Sequence, residues 1–298
     1  MTGRTYALGD RVFDAPPLEA GLYIVATPIG NLRDITLRAL DVLAGCDLLA
    51  CEDTRVTRKL LDRYSIRVPR LIAYHEHNSD HAGEQILAAL DDEESVALVS
   101  DAGTPLVSDP GYKLVIAARG AGHKVWPIPG ASSVLAAMSA SGLPTDDFRF
   151  VGFLPTKKSH RDAKLRALAN SESTIAFFES PKRLIDTLNA LGEIMGGDRR
   201  ISVARELTKL HETVLTGTVR ELTKAFDEKQ VRGEIVVLLE PAEAKPDLLS
   251  QEALDELLKT LLSEMSASNA AKKAAVETGL AKSELYQRCL ALKATNAN

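Results

Sequence analysis

Residues 97–133 read ALVSDAGTPLVSDPGYKLVIAARGAGHKVWPIPGASS and carry the clearest structural signal in the chain. Two apolar strands in this stretch, 97–99 and 125–128, each lead into a loop of small residues. A third apolar strand, 22–25, leads into a similar loop at 26–31. In open α/β sheets, the loops at the carboxyl ends of neighbouring strands form the ligand crevice. We therefore expect a ligand site where these three loops meet.

The order of apolar strands and helical patterns predicts two α/β regions. Strands are predicted at 22–26, 47–51, 71–74, 96–100 and 125–128, with helices near 36–45, 54–63, 80–91 and 110–121. This alternation, with nearly continuous apolar strands, is typical of a parallel sheet covered on both faces. After a helix at 132–141, strands follow at 147–153, 173–179, 200–205, 211–218 and 233–240, with fewer helices between them. Strands without a crossover helix pair antiparallel, so the second sheet should be mixed.

These patterns predict four regions along the chain. They are an N-terminal tail at 1–20, an α/β domain with a parallel sheet at 21–131, a mixed α/β domain at 132–244 and a helical tail at 245–298, with a linker at 242–246. The first region is polar and contains Pro16 and Pro17, which favours a weakly ordered or late-packing segment.

The last region has the pattern of a helix-turn-helix. Ser268 or Asn269 can cap its short helix and Gly279 can end it. Two interpretations remain open, a packing module of alanine-rich helices and an anchor for RNA.

Composition limits the functional classes. The chain has 298 residues, a net charge of −5 and 5% aromatic residues, which argues against nonspecific wrapping of nucleic acid but permits a local basic patch. Its three cysteines lack C-x-x-C spacing, so neither a disulfide framework nor a thiolate zinc site is indicated. With no apolar run near 18 residues and no leader pattern, we expect a reduced, cytoplasmic, soluble protein.

The loops themselves restrict the ligand. Neither the P-loop pattern nor the dinucleotide pattern G-x-G-x-x-G occurs, which disfavours a phosphate-bearing cofactor. Ala102, Gly103, Ala131 and Ser132 are small enough for backbone amides and carbonyls to contact a ligand. A cofactor with an adenosine, an amino-acid tail and no phosphate fits better. For any single loop, an ordinary strand-to-helix turn remains the alternative.

Eight motifs occur in one order along the chain. They are ATPIGNLRDITLRAL (26–40), ACEDTRVTRKLL (50–61), HEHN (75–78), SDAGTPLVSDPG (100–111), PGASS (129–133), SGLPTDDFRFVGFLP (141–155), FFESPKR (177–183) and ARELTKLHE (204–212). Together they resemble the ribosomal small-subunit methyltransferase I family, a branch of the tetrapyrrole methylase superfamily. The resemblance extends from about residue 21 to residue 240, with a helical tail expected after it.

This resemblance implies a fold, a cofactor and a reaction. It implies two αβα domains of the tetrapyrrole methylase type, S-adenosyl-L-methionine bound in the cleft between them, and a homodimer. The implied reaction is 2′-O-methylation of a cytidine in the decoding region of 16S ribosomal RNA. By position, the cofactor-binding residues are Ile29, Asp101, Ala102, Gly103, Leu106, Ser132, Ser133, Phe178 and Glu179. The loop at 101–104 departs from the superfamily's G-G-D-P, as is typical of the RNA-directed branch, and this weakens a tetrapyrrole interpretation.

Such a reaction needs a group that can take the hydroxyl proton. Glu52, Asp53 and Arg55 follow the second strand, and Glu206 and Lys209 follow a strand of the second region. We expect one of the acids to assist proton removal while Arg55 and Lys209 orient the ribose-phosphate. An ion-pair network between domains or at a dimer interface is the alternative.

Two basic runs stand out in the acidic chain. Residues 55–70 and 157–166 each contain one acid among several lysines and arginines. Contacts with RNA phosphates are predicted for Arg58, Lys59, Lys157, Lys158 and Arg161. A solvated helix face is the alternative for both runs.

His75, His77 and His81 lie within seven residues but lack the H-E-x-x-H spacing of a zinc site. We expect no metal, and favour a polar loop facing the substrate over a plain surface loop.

Two other functions remain open for the protein, a tetrapyrrole (porphyrinogen) C-methyltransferase and a non-catalytic nucleic-acid-binding regulator that acts through the tail.

Overall fold

The computed structural model describes residues 4–107, 111–227, 231–242, 251–278 and 280–295. The chain divides into two compact units, Met1–Pro241 and Ala242–Asn298, which we describe separately. The strands are β1 (Thr5–Leu8), β2 (Arg11–Asp14), β3 (Gly21–Val25), β4 (Leu48–Cys51), β5 (Arg70–Ala73), β6 (Ser95–Val99), β7 (Val125–Ile128), β8 (Phe148–Phe153), β9 (Thr174–Glu179), β10 (Arg200–Arg205), β11 (Thr213–Thr218) and β12 (Ile235–Leu239). The helices are α1 (Leu37–Gly45), α2 (Thr54–Arg63), α3 (Ser79–Asp91), α4 (Tyr112–Gly120), α5 (Ser133–Ser141), α6 (Lys158–Leu168), α7 (Leu184–Met195), α8 (Val219–Asp227), α9 (Gln251–Glu264), α10 (Ala267–Thr278) and α11 (Lys282–Thr295).

The first sheet is parallel throughout and has the order β5-β4-β6-β3-β7. Its three central strands are buried along their whole length, because helices cover both faces. The loops after β3 and β6 meet at its carboxyl edge. There Thr27 and Gly103 exchange two backbone hydrogen bonds, of 2.8 and 3.0 Å.

The second sheet has the order β11-β10-β12-β9-β8. Only β8 and β9 pair parallel, while β12 runs antiparallel to both β9 and β10. The predicted fold class, a parallel sheet followed by a mixed sheet and a helical tail, is confirmed. The boundaries predicted at 131/132 and 244/245 stay predictions.

The N-terminal segment is not weakly ordered, because β1 and β2 form an antiparallel hairpin. That this segment packs late, the other half of the expectation, stays a prediction. Tyr6 is buried in the core of the first sheet, and Ala7 N–H donates to the carbonyl of Tyr64 at 2.7 Å. The turn contains Gly9 at φ +62°, a conformation that glycine adopts without strain. Gly9-Asp10 between two short strands was the hairpin signal in the sequence.

The C-terminal unit packs α9, α10 and α11 around a small apolar core. Leu258, Ala270, Ala274 and Cys289 are fully buried in it. The predicted cap at Ser268 or Asn269 was wrong: α10 begins at Ala267, and Ser266 Oγ accepts the N–H of Asn269 at 3.4 Å.

Other expectations fall partly or wholly outside this description. Gly279 and most of the linker at 242–246 lie outside the described residues.

Among the helices of the described ranges, none has the length and apolar character that a membrane span requires. Cys46, Cys51 and Cys289 are free and buried.

Candidate functional site

A cavity of about 370 Å³ lies where the loops of the first sheet meet the second sheet. Its volume is within the range of about 300–1,000 Å³ that is usual for small-molecule sites. The loops after β3, β6 and β7 form one wall, and β8, β9, β10 and β12 form the other. A cavity is therefore present where the three loops were expected to meet, and its use as a ligand site stays a prediction.

Seven of the predicted cofactor residues line this cavity: Ile29, Ala102, Gly103, Ser132, Ser133, Phe178 and Glu179. Two others, Asp101 and Leu106, are not among the described lining residues. Asp101 Oδ1 accepts the backbone N–H of Asp53 at 3.0 Å, and Leu106 packs against the apolar cluster beneath β6. These two side chains hold the loop in place, and their direct contact with a cofactor stays a prediction.

Small residues let the first wall form, because backbone segments approach closely there. A Cβ at Gly130 would lie 2.9 Å from the Cβ of Ala26. Gly103 adopts φ +83°, and a Cβ there would lie 3.4 Å from Ile29 Cγ2. Ser132 caps α5 by accepting the N–H of Leu135.

Among the described lining residues, Glu179 and Glu234 carry charged side chains, and both are acidic. Glu179 is buried and accepts hydrogen bonds from Thr187 Oγ1 and from the N–H of Ser180, each at 2.7 Å. Glu234 is largely exposed at the rim. Among the lining residues that the structure describes there is no lysine, arginine or histidine. The cavity suits an apolar or cationic ligand better than a phosphate.

Several lining residues were missed by the sequence analysis. They are Thr104, Val107, Val134, Phe153, Ser180, Pro181, Ala204, Leu207, Gly233, Glu234, Ile235 and Val236. From the sequence we named only part of the loops after β6 and β7, and in the second sheet we named only Phe178 and Glu179 at the end of β9. Because β12 is antiparallel to β9 and β10, its amino end lies beside their carboxyl ends and joins the site. The GEIVV pattern at 233–237 was the available signal.

Glu206 and Lys209 lie at the rim of the cavity, beside the lining residues Leu207 and Glu234. Lys209 Nζ donates to Glu206 Oε1 at 2.9 Å and to Glu234 Oε2 at 3.1 Å. The hydrogen bond from Lys209 lowers the pKa of Glu206. Burial alone would lower the pKa of Lys209, but its two carboxylate partners outweigh burial and raise that pKa. Both groups therefore stay charged at neutral pH.

Glu52, Asp53 and Arg55 form a separate cluster after β4, outside the described lining. Asp53 caps α2, accepting the backbone N–H of Arg55 at 2.8 Å and its Nη2 at 2.6 Å. These hydrogen bonds lower the pKa of Asp53 to about 2. Burial, followed by the charge of Asp101, raises the pKa of Glu52. Asp53 is thus occupied as a helix cap, and Glu52 is the more basic of the two acids.

The predicted RNA contacts differ in accessibility. Arg58 and Lys59 are exposed on α2, and Lys157 and Lys158 are exposed at the start of α6. Arg161 is only 7% exposed and its Nε lies 3.2 Å from Asp162 Oδ1. Helix α6 turns Arg161 inward, so this guanidinium does not face solvent, and the sequence interpretation of it as a surface contact does not fit.

The segment with His75, His77 and His81 makes contacts mainly within itself. His75 and His77 rings pack edge to face at 6.1 Å, and His81 Nε2 lies 2.9 Å from Gln85 Nε2. In the described ranges no group of His, Cys, Asp or Glu side chains is arranged to hold a metal ion.

Comparison with known proteins identifies the relatives of this chain. Residues 21–223 match the model of the Tetrapyrrole (Corrin/Porphyrin) Methylases, and residues 249–293 match the RsmI C-terminal HTH domain. The ribosomal RNA small subunit methyltransferase I of Mesorhizobium japonicum is 54% identical over 97% of this chain and 98% of its own length. The chain belongs to the ribosomal RNA small subunit methyltransferase I family. The member of this family from Escherichia coli O157:H7 is 45% identical over 90% of this chain and 94% of its own length.

Solved structures support the fold of this family. A cobalt precorrin-4 methyltransferase superposes with a TM-score of 0.57 at 20% identity, covering 74% of this chain and 94% of its own. A uroporphyrin-III-C-methyltransferase from Thermus thermophilus gives a TM-score of 0.52 at 20% identity, covering the same share of each chain. At this level of identity the likeness extends to the fold alone.

Proposed function

We propose that the protein transfers a methyl group from S-adenosyl-L-methionine to the 2′-hydroxyl of a cytidine in the decoding region of 16S ribosomal RNA. The observation that carries this proposal is that the loops predicted to bind the cofactor line one cavity, in a chain whose relatives are named ribosomal RNA small subunit methyltransferase I. A cytoplasmic homodimer acting on the RNA or on the small subunit is part of the same proposal.

The lining residues fit S-adenosyl-L-methionine. Gly103 has no side chain, and its positive φ disfavours any other residue there, so the wall beside Ile29 stays open for a flat adenosine to approach the backbone. No cation among the described lining residues opposes a sulfonium, and Glu234 adds a carboxylate at the rim. When bound, this cofactor supplies a methyl group attached to a positively charged sulfur. Transfer of that methyl group releases a neutral thioether, which is a good leaving group.

The protein's own part in the reaction is alignment and proton removal. None of the three acids is among the described lining residues, but geometry favours Glu206. Its Oε1 accepts the backbone N–H of the lining residue Glu234 at 3.0 Å, whereas Glu52 and Asp53 belong to the separate cluster after β4. Lys209, held by two carboxylates, would orient the ribose-phosphate. Arg55, with its side chain 84% exposed, would contact the substrate farther out.

A tetrapyrrole C-methyltransferase remains the second candidate, because residues 21–223 match the model of the Tetrapyrrole (Corrin/Porphyrin) Methylases. The exposed lysines and arginines on α2 and α6 support RNA instead. A non-catalytic regulator would act through the C-terminal unit and would need no cofactor.

One experiment separates these candidates. Calorimetry first measures binding of S-adenosyl-L-methionine to the purified full chain. The labelled cofactor is then offered with small subunits that lack the modification, or with a porphyrinogen. We expect cofactor binding and methyl transfer to the subunits alone. Transfer to the porphyrinogen alone would support the tetrapyrrole function, and failure to bind the cofactor would support the regulator.

A further inference from the structure

Phe153 is an exposed aromatic residue in the wall of the cavity. It is the last residue of β8, and 60% of its surface is accessible although it lines the cavity. Exposing an aromatic ring to this degree forgoes the burial that normally stabilises such a side chain. A ring held in this way at a cavity mouth indicates a surface for binding a flat group.

The backbone conformation of β8 sets the orientation of the Phe153 ring. The pairing of β8 with β9 shifts register between Phe150 and Phe153, and Gly152 between them adopts φ +68°. Bulges of this kind bend a strand and re-aim the side chain that follows. Phe178 lies beside Phe153 with ring centroids 5.3 Å apart, and Phe150 supports Phe178 at 4.9 Å. A cluster of three aromatic rings in edge-to-face and tilted contact therefore holds the Phe153 ring, while much of that ring stays accessible.

The segment that follows connects this ring to the exposed lysines at the start of α6. Arg183 Nη2 donates to the carbonyls of Leu154 and Pro155 at 2.9 and 3.1 Å, and Leu154 is buried. The connection is therefore fixed and short. Lys157 is four residues from Phe153, a span of at most about 14 Å. The Phe153 ring and the Lys157 ammonium are thus close enough to contact one nucleotide and its neighbour.

We propose that Phe153 stacks on a base of the RNA substrate that has left its helical stack, while Lys157 and Lys158 contact the adjoining backbone. This inference rests on the proposed function and names how that site holds its substrate. A ribose hydroxyl must be separated from a helix to enter a cavity, and unstacked bases are commonly held on aromatic side chains. The position of Phe153 at the exposed end of the wall favours the RNA base over the adenine of the cofactor.

The test compares Phe153→Ala, Phe153→Leu and Phe153→Tyr, with Phe148→Ala as the control. Phe148 begins the same strand, is 40% exposed and is not among the described lining residues. Subunits lacking the modification serve as substrate, and labelled S-adenosyl-L-methionine reports transfer. We expect kcat/KM for the subunits to fall roughly 5- to 150-fold for Ala and Leu. Tyr should stay within about threefold of wild type, Phe148→Ala should be unchanged, and cofactor affinity should be unchanged in every variant.

Two results would overturn the stacking role while leaving the proposed function intact. One is full activity of Phe153→Leu, which would mean that shape without a π-face suffices. The other is a loss of cofactor affinity that accounts for the loss of activity, which would assign the ring to the cofactor. If wild-type protein binds the cofactor and transfers nothing to RNA, the proposed function fails and this inference fails with it.

Discussion

Gly30 lies so close to Lys209 that a Cβ added to Gly30 would be 2.5 Å from Lys209 Cγ. Gly30 belongs to the loop after β3 of the parallel sheet, and Lys209 follows β10 of the mixed sheet. Beside them, the N–H of Asn31 donates to Thr208 Oγ1 at 3.0 Å. This contact joins the two walls of the cavity and fixes the stem of Lys209, whose Nζ reaches Glu206.

Gly30→Ala should therefore displace Lys209 and impair methyl transfer. Overpacking of this kind typically costs about 1–3 kcal/mol in unfolding free energy, and a displacement of about 1 Å at a site can cost on the order of 10²-fold in rate. Gly83→Ala is the control, because Gly83 lies inside α3 with open space around it. It should stabilise by about 0.5–1 kcal/mol and leave the rate unchanged. Urea unfolding and single-turnover transfer measure both effects; wild-type activity of Gly30→Ala would contradict the role of this contact.

Gly103→Val should abolish cofactor binding, because its side chain would project beside Ile29 into the cavity. The positive φ of Gly103 adds a backbone penalty of about 1–2 kcal/mol. Gly142→Val separates the two effects, since Gly142 has φ +69° and nothing within 4 Å of an added Cβ. Calorimetry should show no binding to the first variant and normal binding to the second. Unchanged affinity of a folded Gly103→Val would place the cofactor elsewhere.

Among the candidate acids, Glu206→Gln should slow methyl transfer the most. General-base assistance is worth about 10²–10⁴-fold, and we expect a loss in that range without a change in cofactor affinity. Glu52→Gln and Asp53→Asn should remain within about threefold, because both acids lie in the separate cluster after β4, whereas Glu206 accepts the N–H of the lining residue Glu234. Asparagine at position 53 keeps the cap of α2. Single-turnover rates measure this. If all three variants stay within about threefold, no carboxylate base exists among them; a large loss for Glu52→Gln alone would assign the role to Glu52.

The Glu206–Lys209 pair should make stability depend on pH in a defined window. Folding lowers the pKa of Glu206, so its contribution is present above the unfolded value of about 4.3 and is lost as pH falls through the folded pKa. Folding raises the pKa of Lys209, so its contribution is present below about 10.4 and is lost as pH rises through the folded pKa. Glu206→Gln should cost about 1 kcal/mol near pH 7. This difference in unfolding free energy should shrink below about pH 4, and a difference independent of pH would contradict the ion pair.

The affinity for RNA should depend less steeply on salt concentration when Lys157 and Lys158 are both replaced by alanine. Each phosphate contact contributes roughly 0.7–0.9 to the slope of log K against log salt, so the slope should fall by about 1–2. Replacing Lys113 and Arg119, which are exposed on α4, removes the same charge outside the predicted basic runs. An equal change in slope for both double variants would mean that the α6 lysines act only through net charge.

The sequence predicted those parts of the structure that local patterns determine. Buried strands such as β3 and β6 are recognisable in the sequence as short apolar runs. The small residues that follow them predicted the first wall of the cavity. The resemblance to a family added Phe178 and Glu179 from β9, which no local pattern would have selected.

The remaining parts depend on contacts between distant segments. The antiparallel direction of β12 brings Glu234 to the rim, and neither strand length nor composition reveals that direction. Arg161 appears within a basic run, but the rotation of α6 buries it against Asp162. The exposure of Phe153 follows from a register shift that only the pairing with β9 defines.

Mapping the transferred methyl group within the ribosomal RNA tests the proposed reaction. Small subunits that lack the modification are incubated with the protein and labelled S-adenosyl-L-methionine, and the labelled nucleotide is located in the extracted RNA and hydrolysed to a nucleoside. We expect one labelled site, a cytidine in the decoding region that carries the methyl group on its 2′-oxygen. Label on a base atom, label on a different nucleotide, or the absence of transfer to RNA would contradict it.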